Sequence, residues 1–111
     1  MIRVVIKRNP DRWIETITIT GHANFAEHGS DLVCAGVSAV AFGSLNAVEA
    51  LSGINLSVEQ GGDGGYLHVQ VPKNVSQDNL EKAQLLLEGM IVALETIEAS
   101  YGDYIKITYK Q

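Results

Sequence analysis

At 111 residues, 46% of them hydrophobic and 19% charged, the chain is long enough for one folded core, too short for two, and too apolar to be disordered. Its net charge of −5, from 8 basic and 13 acidic residues, argues against a general binder of phosphate backbones, which carries a basic face. One cysteine cannot close an internal disulfide.

Residues 2–8 alternate, with Ile2, Val4 and Ile6 on one side and Arg3, Val5 and Lys7 on the other, which is the pattern of a half-buried strand. Asn9-Pro10-Asp11 is a turn. Trp13 to Thr20 is β-branched and aromatic, so the first two strands are expected to form a hairpin. Gly21 ends the second strand, and residues 22–30 have no period. They read as a loop hinged at Gly21 and Gly29.

Ser30 and Asp31 are N-cap residues followed at once by an apolar run, so a first helix is expected from about Asp31 to Gly53. Two stripes run along it. One is apolar (Val33, Val37, Val40, Val48, Leu51) and the other small (Gly36, Ala39, Gly43, Ala47, Ala50), the latter suited to close approach of a second helix or a partner chain. Being apolar on most sides, the helix is expected to be central and buried. Ile54–Gln60 and Tyr66–Val71 alternate around a glycine tip and predict a second hairpin. Ser76 caps a second helix with Leu80, Ala83, Leu87, Met90 or Ile91, Leu94 and Ile97 turned inward, and Glu81, Lys82, Glu88, Glu95 and Glu98 mostly turned to water. Gly102 stands at its C-cap, and Tyr104–Lys110 is a final strand. The fold class is therefore α+β, a single domain over 1–111 in the order β-β-α-β-β-α-β; periodicity does not say which strands are neighbours.

The stretch Gly21–Ser38 holds His22, His28 and the lone Cys34. With the helix starting near Asp31, Cys34 falls in its first turn, where unpaired N–H groups and the helix dipole favour a thiolate. A histidine facing that thiolate makes the local geometry of a cysteine hydrolase. His22 and His28 both qualify by position, with little to separate them. Ser38, four residues on, lies one turn along the same face, either reaching toward the sulfur or bonding back to its own helix. A single cysteine on a helix entering a core is otherwise most often an inert small hydrophobe.

Other chemistries fit less well. His22, His28 and Cys34 are three potential metal ligands, but no Cys-x-x-Cys or helical His pair accompanies them, so no metal and no cofactor is expected. A thioredoxin-like role lacks the second cysteine. No Gly-x-Ser-x-Gly elbow occurs, and the glycine tip joins two strands where a phosphate loop opens a helix. His68, mid-strand, reads as a structural or surface residue.

Gly21-His22-Ala23, followed by Gly29-x-Asp31-x-x-Cys34-Ala35-x-x-Ser38-Ala39, resembles the signature of the ribosomal-processing cysteine protease (Prp) family, over nearly the whole chain. The resemblance implies a small bacterial endopeptidase, working as a homodimer, that removes the N-terminal extension of large-subunit ribosomal protein twenty-seven after an aromatic residue in a short apolar motif. It implies Cys34 as nucleophile, His22 as general base, Asp31 and Ser38 in support, and the loop between Gly21 and Ser30 as a lid. The alternative is a non-catalytic peptide-binding or ribosome-assembly module with Cys34 in the core. The N-terminus alternates like a strand without a signal-peptide block, and no uninterrupted apolar run reaches membrane-spanning length. A cytoplasmic protein with no nucleic-acid or membrane partner is expected.

Overall fold

The computed structural model describes residues 1–21, 28–61 and 65–111, the side chains of residues 28–31 excepted. The elements are β1 (Ile2–Arg8), β2 (Ile14–Thr20), α1 (His28–Ser52), β3 (Ser57–Gln60), β4 (Tyr66–Gln70), α2 (Gln77–Tyr101) and β5 (Ile105–Lys110). The expected order and the α+β class both hold.

The strands form one sheet in the order β3-β4-β2-β1-β5. Every pairing is antiparallel except β1 with β5. Each helix therefore closes a crossover: α1 carries the chain from β2 past β4 to β3, and α2 carries it from β4 past β2 and β1 to β5. Burial alternates along the central strands, with Ile2, Val4 and Ile6 in one core with Val33, Val37, Leu87 and Leu94 of the helices. One sheet face is thus covered and the other, bearing Arg3, Val5, Lys7 and the β2 threonines, stays open. Burial of each large aliphatic side chain contributes about 1.5–3 kcal/mol.

The first turn works as its residues suggest, with one exception to the usual chemistry. Arg12 N–H donates to the Asn9 carbonyl (2.9 Å) and Trp13 N–H to Asn9 Oδ1 (3.0 Å). Arg12 itself takes φ +72°, a left-handed conformation that glycine or asparagine adopts more readily. Lys7 pairs with Thr16 and Arg8 with Ile14, so Glu15 is an extra residue. That bulge turns both Ile14 and Ile17 into the core.

Two expectations about the helices are corrected. First, α1 begins at His28, so Gly29, Ser30 and Asp31 lie in its first turn rather than before it. Serine and aspartate suit the first turn as well as the cap, because N–H groups still lack acceptors there, so these residue types mark a neighbourhood rather than a boundary. Second, α1 is not buried all round. One stripe (Val33, Val37, Ala41, Leu45, Val48) is in the core, while Leu32, Phe42 and Leu51 are exposed, Leu51 by 66%. A helix apolar on every side has no period to select a face, so packing selects it. Leu32–Ser52, though interrupted by Ser38, Ser44, Asn46 and Glu49, is long and apolar enough to span a membrane by length and composition; here its core stripe packs beneath the sheet.

On α2, Glu81, Lys82 and Glu95 face water as expected, while Glu88 and Glu98 are half-buried. Glu88 grips Arg8 through two bonds (2.5 and 2.8 Å), and Glu98 accepts the Ile107 N–H (2.7 Å) from strand β5. Gln84, unremarked in the periodicity, is 2% exposed; its Nε2 donates to the Ile14 carbonyl and its Oε1 accepts the Ile14 N–H, both at 2.9 Å. The caps stand where expected: Ser76 Oγ accepts the Asn79 N–H (3.2 Å) and Gly102 follows Tyr101. Gly102 is right-handed, φ −60°, so its positive-φ freedom is not what ends the helix.

Candidate active site

The helix layer stops short of the sheet's β3 edge, where all four residues Ser57–Gln60 are exposed. Between the N-terminal half of α1 and the β3–β4 hairpin this leaves a cleft of about 290 Å³. Cys34, Ser38 and Phe42, spaced by four, present one row along the helix to it, and Gln60, Tyr66 and Leu67 border it from the hairpin. Buried Ile2, Ile19, Val37 and Ala41 supply its apolar lining. No charged side chain lines it among the described residues. Such a groove favours an extended, apolar occupant over a charged one.

Cys34 is half-buried; it packs against the core on one side and lines the cleft on the other. It is thus neither the sealed core cysteine of the inert reading nor a fully exposed thiol. The helix start moves it, however, to the seventh residue of α1. The expectation that first-turn N–H groups surround the sulfur is corrected: those groups lie a turn or more toward the N-terminus. Ser38 is exposed, and its hydroxyl makes no hydrogen bond with a described residue. It differs in this from Ser52 and Thr96, which bond back to the carbonyls of Val48 (2.5 Å) and Val92 (2.9 Å).

Gly21 also lines the cleft. Its φ is +89° and a Cβ there would run into the Met1 carbonyl, so the position requires glycine. Its N–H donates to the Gly65 carbonyl (2.9 Å), tying the end of β2 to the start of β4. His22 follows directly and lies outside the described residues. So do the side chains of His28 and Asp31, and with them the rival His22–His28–Cys34 metal set; the lid between Gly21 and Ser30 lies largely outside as well. His68 is half-buried with Nδ1 2.8 Å from Thr18 Oγ1, as a structural residue would be.

The sequence reading missed Phe42, Gln60, Tyr66 and Leu67. Phe42 had a signal: it is one of only two phenylalanines and continues the four-residue step of Cys34 and Ser38. The hairpin residues had none, because only the sheet order brings β4 beside α1.

Comparison with known proteins follows the same outline. The family model of the cysteine protease Prp matches residues 1–106. A ribosomal processing cysteine protease Prp from Bacillus subtilis is 52% identical over 108 residues, covering 97% of this chain and 96% of that protein. Two crystal structures of the essential ribosomal processing protease Prp from S. aureus superpose on 99% of this chain and 100% of theirs. One holds a covalently linked product peptide (TM-score 0.86, 38% identity) and the other a substrate peptide (TM-score 0.87, 37% identity).

Proposed function

This chain belongs to the Prp family of ribosomal processing cysteine proteases, and on that premise we propose that it removes the N-terminal extension of large-subunit ribosomal protein twenty-seven, with Cys34 as nucleophile and His22 as general acid and base. Membership of a protease family sets aside the non-catalytic module. The observation that carries the reading is the position of Cys34: a half-buried cysteine in the wall of a cleft that is apolar and uncharged among the described residues, with His22 one residue beyond cleft-lining Gly21.

In the proposed reaction His22 takes the Cys34 proton and the thiolate Sγ attacks the scissile carbonyl carbon, whose π electrons move to oxygen. Collapse of that intermediate breaks the C–N bond, and the imidazolium of His22 protonates the leaving amine. Water, losing its proton to His22, then attacks the thioester; the S–C bond breaks, the extension leaves as a carboxylate and the thiolate is regenerated. Asp31 and Ser38 act as positioning residues. Gly21 bounds the lid on its strand side and can serve as a fixed pivot because φ +89° is open to glycine alone.

The apolar lining, with Phe42 at its border, supports a substrate that offers an aromatic residue in an apolar motif. The acidic balance of the chain suits a basic ribosomal precursor. The reading includes a cytoplasmic homodimer, supported by apolar side chains left exposed on the helices: Leu32 and Leu51 on α1, Leu85 (74%) and Val92 (60%) on α2.

The test uses purified protein and the host's own precursor, with products read by mass spectrometry and Cys34→Ala and His22→Ala run alongside. One shortened product, absent with both variants, is the expected result. Loss with Cys34→Ala alone moves the base to His28. An intact precursor after prolonged incubation with wild-type protein overturns the substrate assignment.

A further inference from the structure

The open sheet face carries a charge pattern that the net charge conceals. Reading across the ladders, Lys106 on β5 stands beside Arg3 on β1, then Thr20 on β2 and Tyr66 on β4; four residues along the strands, Lys110 stands beside Lys7, then Thr16 and Gln70. Four of the chain's 8 basic residues thus gather on two adjacent strands. Lys7 pairs with Glu15 at 3.5 Å; Arg3, Lys106 and Lys110 form no ion pair among the described residues. Like charges directly across a ladder destabilise a sheet, so the arrangement is costly unless an anion lies on it. The cleft and Cys34 are on the other side of the sheet, so hydrolysis does not account for it.

We propose that this open face binds single-stranded RNA, the cations of β1 and β5 taking phosphates and the threonine rows and Tyr66 meeting sugar and base. The row Lys106–Arg3–Thr20–Tyr66 spans about 14 Å at ordinary strand spacing, which puts phosphate-binding cations and a stacking ring within one or two nucleotides of each other. Tyr66 is 39% exposed and nearly parallel to His68, with ring centroids 6.4 Å apart; it stands two strands from Arg3, with exposed Glu59 opposite His68, and an aromatic on a sheet face that also carries cations is the arrangement by which β-sheets hold unpaired bases. A lipid surface fits less well, since it calls for apolar side chains to insert and the centre of this face offers only half-buried Val5 among threonines. An acidic peptide would use the cations and leave the ring and hydroxyl rows without a role.

The proposal stands apart from the protease reading, and its test does not measure cleavage. A fluorescein-labelled, mixed-sequence 20-nucleotide RNA is titrated with the full chain by anisotropy at several salt concentrations. Three phosphates neutralised by Arg3, Lys106 and Lys110 give a slope of log affinity on log salt near −2, about a 20-fold weakening between 50 and 200 mM salt. The triple variant R3Q/K106Q/K110Q loses most of the affinity at 50 mM and has a slope shallower than about −1, while its melting temperature holds or rises as the like-charge contacts go. RNA binding equal in wild type and variant, or a flat salt dependence, overturns the proposal. So does binding to phosphatidylserine vesicles or to poly-glutamate under conditions where the RNA stays free.

Discussion

Replacing Gln84 by leucine removes the one side chain that completes the sheet where it runs out of strand. The β2–β4 ladder ends at Thr16–Gln70, so Ile14 has no β4 residue beside it. The Gln84 amide fills that place with two 2.9 Å bonds, and the side chain is 2% exposed. Leucine has a similar volume but leaves a buried N–H and a buried C=O unpaired. Each costs about 1–3 kcal/mol, offset in part because the glutamine amide no longer has to be desolvated. The expected loss is about 2–4 kcal/mol, a large share of the roughly 5–15 kcal/mol of an ordinary domain. At about 4 °C per kcal/mol for a chain of this size, the melting temperature falls by roughly 8–16 °C. Urea unfolding followed through the single tryptophan, Trp13, reads the same quantity and supplies the m-value. A loss under about 0.5 kcal/mol with m unchanged would refute the reasoning, since it would mean that water or another donor replaces both bonds.

Other perturbations separate the remaining forces. The Arg8 guanidinium holds the Glu88 carboxyl below the usual carboxylate range, so the pair contributes above about pH 4.5 and is lost as pH falls through the lowered value. Arg8→Ala should therefore cost up to about 1 kcal/mol at pH 7, the pair being partly exposed, with the gap to wild type closing below pH 4 in acid melts. Partial burial, and then a hydrogen bond to Glu95, push the Tyr109 phenol up to about 12 from 10.0. Its contribution is present below pH 10 and lost as pH climbs through about 12, and Tyr109→Phe should flatten that alkaline decline. Gly21→Ala forces a side chain into left-handed backbone against the Met1 carbonyl; a loss of at least about 1 kcal/mol is expected, with cleavage falling further than stability. Gly53→Ala, at φ +73° with open space around it, should cost only about 1 kcal/mol and leave cleavage unchanged.

The contrast between Gln84 and Glu98 on one side and Cys34 on the other separates what was legible from what was not. Alternation along Ile2–Ile6, the Asn9–Pro10 turn, the Ser76 cap and the heptad-like spacing of α2 are local, governed by backbone geometry and neighbours a few residues away, and a reader of the sequence alone obtains them. The motif from Gly21 to Ala39 is local too, which is why Cys34 and Ser38 could be singled out without coordinates. The start of α1 was less sharply written, because serine and aspartate serve both as cap and in the first turn.

Long-range placement was decided only when the chain closed on itself. Nothing in β3, β4 or β5 states that they lie at opposite sides of β1 and β2; that order follows from two helices crossing one sheet face. It is the order that sets Leu67 on the side of the sheet that Cys34 faces, leaves the β3 edge uncovered so that a cleft exists, and aligns Arg3 with Lys106. The buried face of α1 was likewise undetermined, because a helix apolar on all sides offers many docking faces of similar hydrophobic gain and only shape complementarity chooses among them. Composition and spacing therefore determined the elements and singled out Cys34, and tertiary packing determined what that cysteine faces.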